Sequence, residues 1–406
     1  MRLVVRALIG ILPNTAHALP ATFTEVCMSL LRPSILTLCA VAMMDVGSFE
    51  TPASRSHKRS LTTNCPAAVP DDGVNDREAI QNCFDAPGAS EVILVPGVYD
   101  IEEGIRLRSD DLLLTSIGGK ATLRATPALA FQMIYAAESN YFEISELIVD
   151  GNRGSRSTSV LDTICTNSNP NDGSNIVAEG SGFVIHHVDT INAACGSGLV
   201  ANGDNFEVYS VYSADNGQEA VDGGPNEYWA DGITSNRCTS GYIHDNVSKN
   251  NTDVGIVVHR GSNCRVRFNQ VVNDARHAFS GMNIAAEDVG DGVGFSGSVV
   301  SDNVITSGYN LMGMGMSIGF HMWENTPGAD AAEIRYNTIS GAVTNMVIDG
   351  IANGTITDNT LSNAQGNRHF NPACPYTGNL TYGDKGNATV QVGGVCMIRH
   401  DGCGCQ

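Results

Sequence analysis

Three sets of side chains in this 406-residue chain have the types and spacing to do chemistry. The first is cationic. Between Arg237 and His277 stand Arg237, Lys249, Arg260, Arg265, Arg267 and Arg276 with His244, His259 and His277, against Asp245, Asp253 and Asp274 as the only acids. In a chain of formal net charge −20, such a concentration of cations suits a groove for an anionic sugar, a uronate. Cutting a uronate polymer by β-elimination needs a cation on the carboxylate, a base for the C5 proton and an acid for the O4 leaving group. Arg260 and Arg276 fit the first task, because a guanidinium grips a carboxylate bidentately. His259, His277 and Tyr228 fit the proton transfers, with Lys249 and Asn251 as substrate contacts beside them. The bland alternative is a set of solvated strand faces and salt bridges.

The second set is acidic: Asp222, Glu227, Asp231 and Asp253. A pair of carboxyls drawn from it could run glycoside hydrolysis, one as acid and one as base. The same oxygens could hold a Ca²⁺ that bridges to a substrate carboxylate, the one cofactor the sequence suggests. The third set is aromatic. Trp229 and Trp323 are the only two tryptophans, and both fall in insertions rather than strands. With Tyr228 and His321 beside them they suit platforms for sugar rings, or simply pack their loops.

These residues need a frame that sets them side by side. Five stretches supply it: YIHDNV, VRFNQV, VVSDNVI, IRYNTI and ITDNTL. Their asparagines, Asn246, Asn269, Asn303, Asn337 and Asn359, are 23, 34, 34 and 22 residues apart. A repeat of about 20–25 residues, rich in β-branched residues, Asn, Asp and Gly, marks a solenoid of strand coils. The longer steps fit one coil plus an insertion. No coil can bury its inner face alone, so Val and Ile form interior columns and the turn asparagines ladder their amides from coil to coil. Strict alternation then predicts Ile256 and Val258 inside and His259 outside. Arg276-His277 follows about one coil after His259-Arg260, so both pairs are expected on one patch. Three insertions interrupt the rod: residues 153–180, 217–230, and 286–295 with 320–331. Such loops commonly wall a binding face. The run MGMGMS (312–317) is expected to be an interior strand.

Residues 64–125 carry a recognisable order: VPDDGVNDREAIQNCFDA, SEVILVPGVYDI, then GIRLRSDDLLLTSIGGKATLRA. Asp76 is placed to cap a short helix whose apolar face includes Ile80 and Phe84, and the strand VILV runs into Pro96-Gly97. This order resembles the entry segment of the pectate lyase superfamily. The resemblance implies an all-β, right-handed parallel β-helix, with a short helix capping the first coil, and a carbohydrate-active protein. Lyases, hydrolases, epimerases and phage tailspikes share that entry segment. Asn251-Thr252-Asp253 resembles the NTD motif of polygalacturonases, but no Asp-Asp pair follows one coil later, nor Gly-His-Gly, nor Arg-Ile-Lys, so that family is set aside.

The ends set the remaining bounds. An apolar run, SILTLCAVAMM, too short to span a bilayer, reads as a secretory signal, and Lys58-Arg59 as a processing site. The expected division is therefore a signal and pro-segment at 1–59, the β-helix at 60–364, and a Cys-rich C-terminal cap of the same domain at 365–406. Ten of the 12 cysteines lie beyond residue 59, an even number that suits disulfides in a secreted protein. Cys65 with Cys83, and Cys238 with Cys264, are close enough in sequence to pair, although spacing does not fix connectivity. Sequons at Asn246, Asn250, Asn353, Asn379 and Asn387 permit glycosylation, but a buried ladder amide at Asn246 could not carry a glycan. The acidic balance argues against nucleic acid and anionic membrane as partners. The sequence reading is thus a secreted polysaccharide lyase on an acidic glycan. A glycoside hydrolase, a polyuronate epimerase and a non-catalytic glycan-binding cell-wall protein are the alternatives.

Overall fold

The computed structural model describes residues 64–128, 132–165, 172–219, 228–286, 294–321, 328–365, 379–392, 397–399 and 402–405. The signal and pro-segment lie outside these residues.

Most coils are three short strands joined at three corners, although Glu143–Asp150 and Val184–Ile191 each run through the first corner as one strand. One coil runs Arg265–Arg267, Gln270–Asn273 and Ala278–Ile284. Each strand pairs in parallel with its counterpart one coil on: Arg265 with Val299, Gln270 with Val304, Ala278 with Met312. Repeated along the chain, this gives three parallel sheets around a single interior. It is the right-handed parallel β-helix implied by the superfamily resemblance. Helix α1 (Arg77–Asp85) packs Ile80 and Phe84 against the first strands. Asp76 does not cap it by its side chain: the carboxylate instead accepts from the Val69 N–H at 2.9 Å. At Gly97, φ is +141° and an added Cβ would stand 2.4 Å from the Pro70 Cβ, so the Pro-Gly turn admits no other residue.

The asparagine ladder closes the corner between the first and second sheets. Nδ2 of Asn246 donates to Oδ1 of Asn269 at 2.9 Å, and the relay continues through Asn303 and Asn337 to Asn359 at 3.0, 2.9 and 2.9 Å. Each Nδ2 also donates to a strand carbonyl, and each Oδ1 takes the backbone N–H of the asparagine before it. Every ladder asparagine is preceded by a left-handed residue: Asp245, Phe268, Asp302, Tyr336 and Asp358, with φ between 52° and 59°. Those conformations are costly for non-glycine residues and persist because the ladder overdetermines the corner. At Phe268 and Tyr336 the exposed ring carries the preceding arginine over its face.

A second ladder, of which the repeat motif gave no sign, closes the corner between the second and third sheets. Asn216 Nδ2 donates to Asn251 Oδ1 at 2.8 Å, and Asn251 Nδ2 donates to Ser248 Oγ and the Ser213 carbonyl. Inside the first sheet, Phe142, Phe183 and Phe206 stack face to face at 5.0 and 4.8 Å. Both expected disulfides form, Cys65–Cys83 and Cys238–Cys264, and Cys165–Cys195 ties helix α2 (Thr158–Cys165) to the rod. Near the C-terminus, strands Met397–Arg399 and Gly402–Cys405 pair antiparallel. Cys374 and Cys396 fall outside the described residues.

The third sheet positions the site. Seven of its strands carry the argument: β1 (Gly196–Asp204), β2 (Ala230–Ser235), β3 (Val254–Val258), β4 (Ala278–Ile284), β5 (Met312–Ile318), β6 (Thr344–Ile348) and β7 (Leu380–Tyr382). Gly198, Gly232, Gly255, Gly281 and Gly315 fall in one register column. A Cβ on Gly232 would come 2.4 Å from both the Gly255 carbonyl and Ser248 Oγ. Glycine here lets two successive positions, Gly232 and Ile233, face inward, so the outward positions Asp231 and Thr234 stand three residues apart. MGMGMS divides accordingly: Met312 and Met316 join the core, whereas Met314 is buried outside it. In chain order, insertions 153–180 and 217–230 precede strands of the third sheet, and 286–295 and 320–331 follow them.

Asn303→Ala removes a rung and strands the amide of Asn269. It is expected to lower unfolding free energy by about 2–4 kcal/mol in a urea titration, and Asn303→Asp by at least as much at neutral pH. Asn246 is fully buried in the ladder, so peptide mapping of protein from a glycosylating host should find it bare.

Candidate active site

Asp231 and Asp253 are brought together from consecutive coils. Asp231 is the second residue of β2 and Asp253 immediately precedes β3. Asp231 Oδ2 accepts from Thr234 Oγ1 at 2.6 Å, and its Oδ1 accepts from the backbone N–H of Val254 at 3.1 Å. Thr234 Oγ1 lies 2.8 Å from Ser197 Oγ one coil earlier. The carboxyl is thus fixed by its own strand and by the coil on either side.

The two acids are half-buried and near one another, and both hold their protons beyond the ordinary carboxyl range. For Asp231 the main cause is burial, reinforced by the charge of Asp253, and the rise is large despite the two bonds it accepts. Burial lifts Asp253 to about 6. Two carboxyls that cannot easily ionise together titrate in two steps that belong to the pair. Asp231 feels the charge of Asp253 on top of its own burial, so ionisation of Asp253 strengthens the hold of Asp231 on its proton.

Trp229 stands two residues before Asp231 with 46% of its surface exposed. Its neighbour Tyr228 is buried in a small cluster with Leu161, Ile164, Ala194 and Cys195, and donates its hydroxyl to Asp162 at 2.7 Å. That tyrosine holds helix α2 down and is not presented to a groove. Asp222, Glu227 and Trp323 lie outside the described residues.

The cationic set does not assemble. His259 faces out as expected, beyond the end of β3 and 6.3 Å from the Phe320 ring, with the half-buried Arg260 next to it at the corner. Arg276 and His277 precede β4, so a strand's length separates the two pairs and they share no patch. The six residue steps from Asp253 to His259 span roughly 20 Å of strand. Arg276 donates to the carbonyls of Asn216, Asn250 and Gly217, stitching the corner. His277 is exposed and 3.5 Å from Glu219. Lys249 pairs with Asp274 at 3.1 Å, Arg267 with Asp302 and Arg237 with Asp204, each across coils. Asn251 is spent in the second ladder, and His321 lies against Asp349 at 3.5 Å. Among the described residues no group of three or more His, Cys, Asp or Glu is arranged to hold a metal ion.

Sequence reasoning missed Ser197 and Thr234 on the outer face of the third sheet. A signal was present: Gly-Leu or Gly-Ile at 198–199, 232–233 and 255–256 marks the strand phase.

Among solved structures the chain is similar to the A-module of the mannuronan C-5 epimerase AlgE4 of Azotobacter vinelandii. The identity is 18%, over 78% of this chain and 80% of that one, with a TM-score of 0.54. The A-module of AlgE6 from the same organism aligns at 14% identity over 78% of each chain, with a TM-score of 0.51. At these identities the likeness establishes the fold. No protein-family model and no curated protein matches the chain.

The pair also sets a pH-dependent strain. Folding raises both carboxyl pKa values, so the folded chain binds more protons than the unfolded one between them. Stability is therefore intact below about pH 4 and declines as pH rises through 6 and beyond. Asp231→Asn should melt with wild type at pH ~4 and above it at pH ~7 by differential scanning calorimetry.

Proposed function

We propose that this chain is a secreted carbohydrate-active enzyme that cleaves a polysaccharide on the outer face of the third sheet. Asp231 serves as general acid and Asp253 as general base. The observation that carries the reading is the half-buried acid pair on adjacent coils, with both members raised above the ordinary carboxyl range by burial and Asp253 lifted to about 6. Glycoside hydrolysis needs one protonated carboxyl to give a proton to the leaving oxygen and one ionised carboxylate to activate the attacking group. Burial and mutual repulsion set the two apart in that sense. Thr234 and the Val254 N–H hold Asp231 in place, and Trp229 offers a ring beside it for a sugar face.

Support for the lyase reading weakens with the cations. Elimination needs a free guanidinium or metal at the carboxylate, yet Arg276 is committed to backbone carbonyls and Arg260 stands a strand's length from Asp253. Both similar structures are named as mannuronan C-5 epimerases, which keeps a carbohydrate substrate in view for this chain without fixing the reaction. Three disulfides agree with an oxidising, extracellular setting.

Asp231→Asn and Asp253→Asn should each lower turnover by about 10²–10⁴-fold with folding intact. Wild-type kcat/KM should rise as pH passes about 6, where Asp253 ionises, and fall again as Asp231 loses its proton. Products should carry new reducing ends without the ultraviolet absorbance of an unsaturated uronate. Unsaturated products, or full turnover in both variants, would sink the reading.

A further inference from the structure

Two aromatic rings stand in the open on the corner between the first and second sheets. Phe268 is 40% exposed and Tyr336 52%, although each directly precedes a buried ladder asparagine. The register of their strands runs Arg267, Ser301, Arg335, so the two rings are two coils apart, about 10 Å along the rod. Asp245, Asp302 and Asp358 hold the same corner position in the coils before, between and after them. This edge of the rod therefore runs acid, ring, acid, ring, acid.

The backbone makes the rings a poor structural choice. All five residues are left-handed, with φ of 59° at Phe268 and 57° at Tyr336. Aspartate tolerates that conformation, whereas a bulky side chain is an outlier in it. Neither ring recovers the cost by burial. What each gains is the guanidinium of the preceding arginine, 4.9 Å from the Phe268 centroid and 5.3 Å from that of Tyr336. A cation–π contact at an exposed site is worth little. Its geometric effect is larger: the arginine backs one face of the ring, so the exposed area belongs to the other face and the rim. Strain kept at two matching, exposed positions points to function rather than packing.

We infer that this corner binds a neutral, extended β-1,4-linked polysaccharide, with Phe268 and Tyr336 as its two platforms. The C–H face of a pyranose stacks on an aromatic ring, and its rim of hydroxyls takes polar partners. Partners are at hand in the carboxylates of Asp245, Asp302 and Asp358, and in the exposed Gln270 and Thr338, each two residues after a ring. An extended β-1,4-linked chain repeats every two sugars, over a distance close to two coils of the rod. Alternate sugars then rest on Phe268 and Tyr336, with the sugar between them above Asp302. A helical α-1,4-linked chain curls away from so straight an edge. Charge narrows the class further. Arg267 pairs with Asp302 at 3.2 Å and Arg335 with Glu333 at 3.3 Å, so the arginines at the rings are committed within the fold. A uronate would meet the carboxylates of this edge on a chain of net charge −20. The site is separate from the acid pair, which stands on the third sheet, and does not depend on its role.

The test is calorimetry on full-length Asp253→Asn protein, in which the proposed turnover does not consume the ligand. The probes are β-1,4-linked gluco-, xylo- and manno-oligomers, with malto-oligomers and oligogalacturonate for comparison. At least one β-1,4 series should bind, tightening from the disaccharide to the trisaccharide, the shortest that reaches both rings. The malto-oligomers and the uronate should not bind. Adding Phe268→Asp or Tyr336→Asp, the residue that the neighbouring coils carry there, should weaken binding at least tenfold. Their melting midpoints should stay level or rise, because the left-handed strain is relieved. No β-1,4 binding, equal binding of malto-oligomers, or a lower melting midpoint in the aspartate variants, which would make the rings structural, would each overturn the inference. Binding that survives both ring substitutions would place the ligand elsewhere, the acid pair included, overturning this site and leaving the proposed reaction standing. Full turnover in Asp253→Asn would refute the catalytic assignment and leave the binding result standing.

Discussion

Every coil of this rod depends on satisfying its corner amides away from water. A solenoid corner turns the backbone sharply and leaves polar groups pointing into the interior, where an unmet hydrogen bond is costly. The Asn246–Asn359 ladder answers this with one side chain per coil, each amide accepting from the coil before and donating to the coil after. Because the amides hydrogen-bond from coil to coil, the ladder fixes register as well as satisfying the buried polar groups. Register in turn places Asp231 beside the backbone N–H of Val254 and Thr234 beside Ser197. The acid pair is a product of stacking, since neither strand could hold it alone.

The same economy explains where the rod's cations went. In a strongly acidic chain, carboxylates on neighbouring coils would repel along every exposed face. Arg237–Asp204, Arg267–Asp302 and Lys249–Asp274 each cross from one coil to another and relieve that repulsion. On the first sheet, His186, Tyr209 and His244 stack at 4.8 and 5.4 Å, with Glu143 and Glu207 bonded to the imidazoles. Desolvation opposes the charge on His244, but Glu207 and Asp245 outweigh it and raise its pKa. The concentration of basic residues between Arg237 and His277 is thus largely structural.

Much of the fold was legible because its signals are local and periodic. The asparagine steps, the β-branched inner positions and the Pro96-Gly97 turn all act within one coil or between neighbours. Two disulfides followed from short sequence separations, whereas Cys165–Cys195 did not, because an insertion places Cys165 beside a strand that comes 30 residues later. The site was harder to read. Of four candidate acids, Asp222 and Glu227 lie outside the described residues, and it is the register of β2 on β3 that brings Asp231 and Asp253 together. His259-Arg260 and Arg276-His277 looked like neighbours because one coil separates them in sequence. Sequence distance does not say that one pair ends a strand and the other begins one. Asn251 was mistaken for a substrate contact because the second ladder lacks the I/V-x-x-N frame that betrayed the first.

The in-register stacking of the third sheet has a metrical consequence. Rows such as Thr234, Val257, Asn283 and Ser317 repeat at the inter-strand spacing of about 4.8 Å, and nothing in a parallel rod lets one row stretch relative to another. The surface is therefore a ruler with fixed graduations. A chain molecule laid along it with any other period drifts out of phase, as two scales of a vernier do, and regains alignment only at intervals. Close contact is then confined to short stretches however long the rod or the polymer. Lengthening such a protein by adding coils extends the ruler without tightening its grip; changing the polymer's repeat moves the places where the marks coincide.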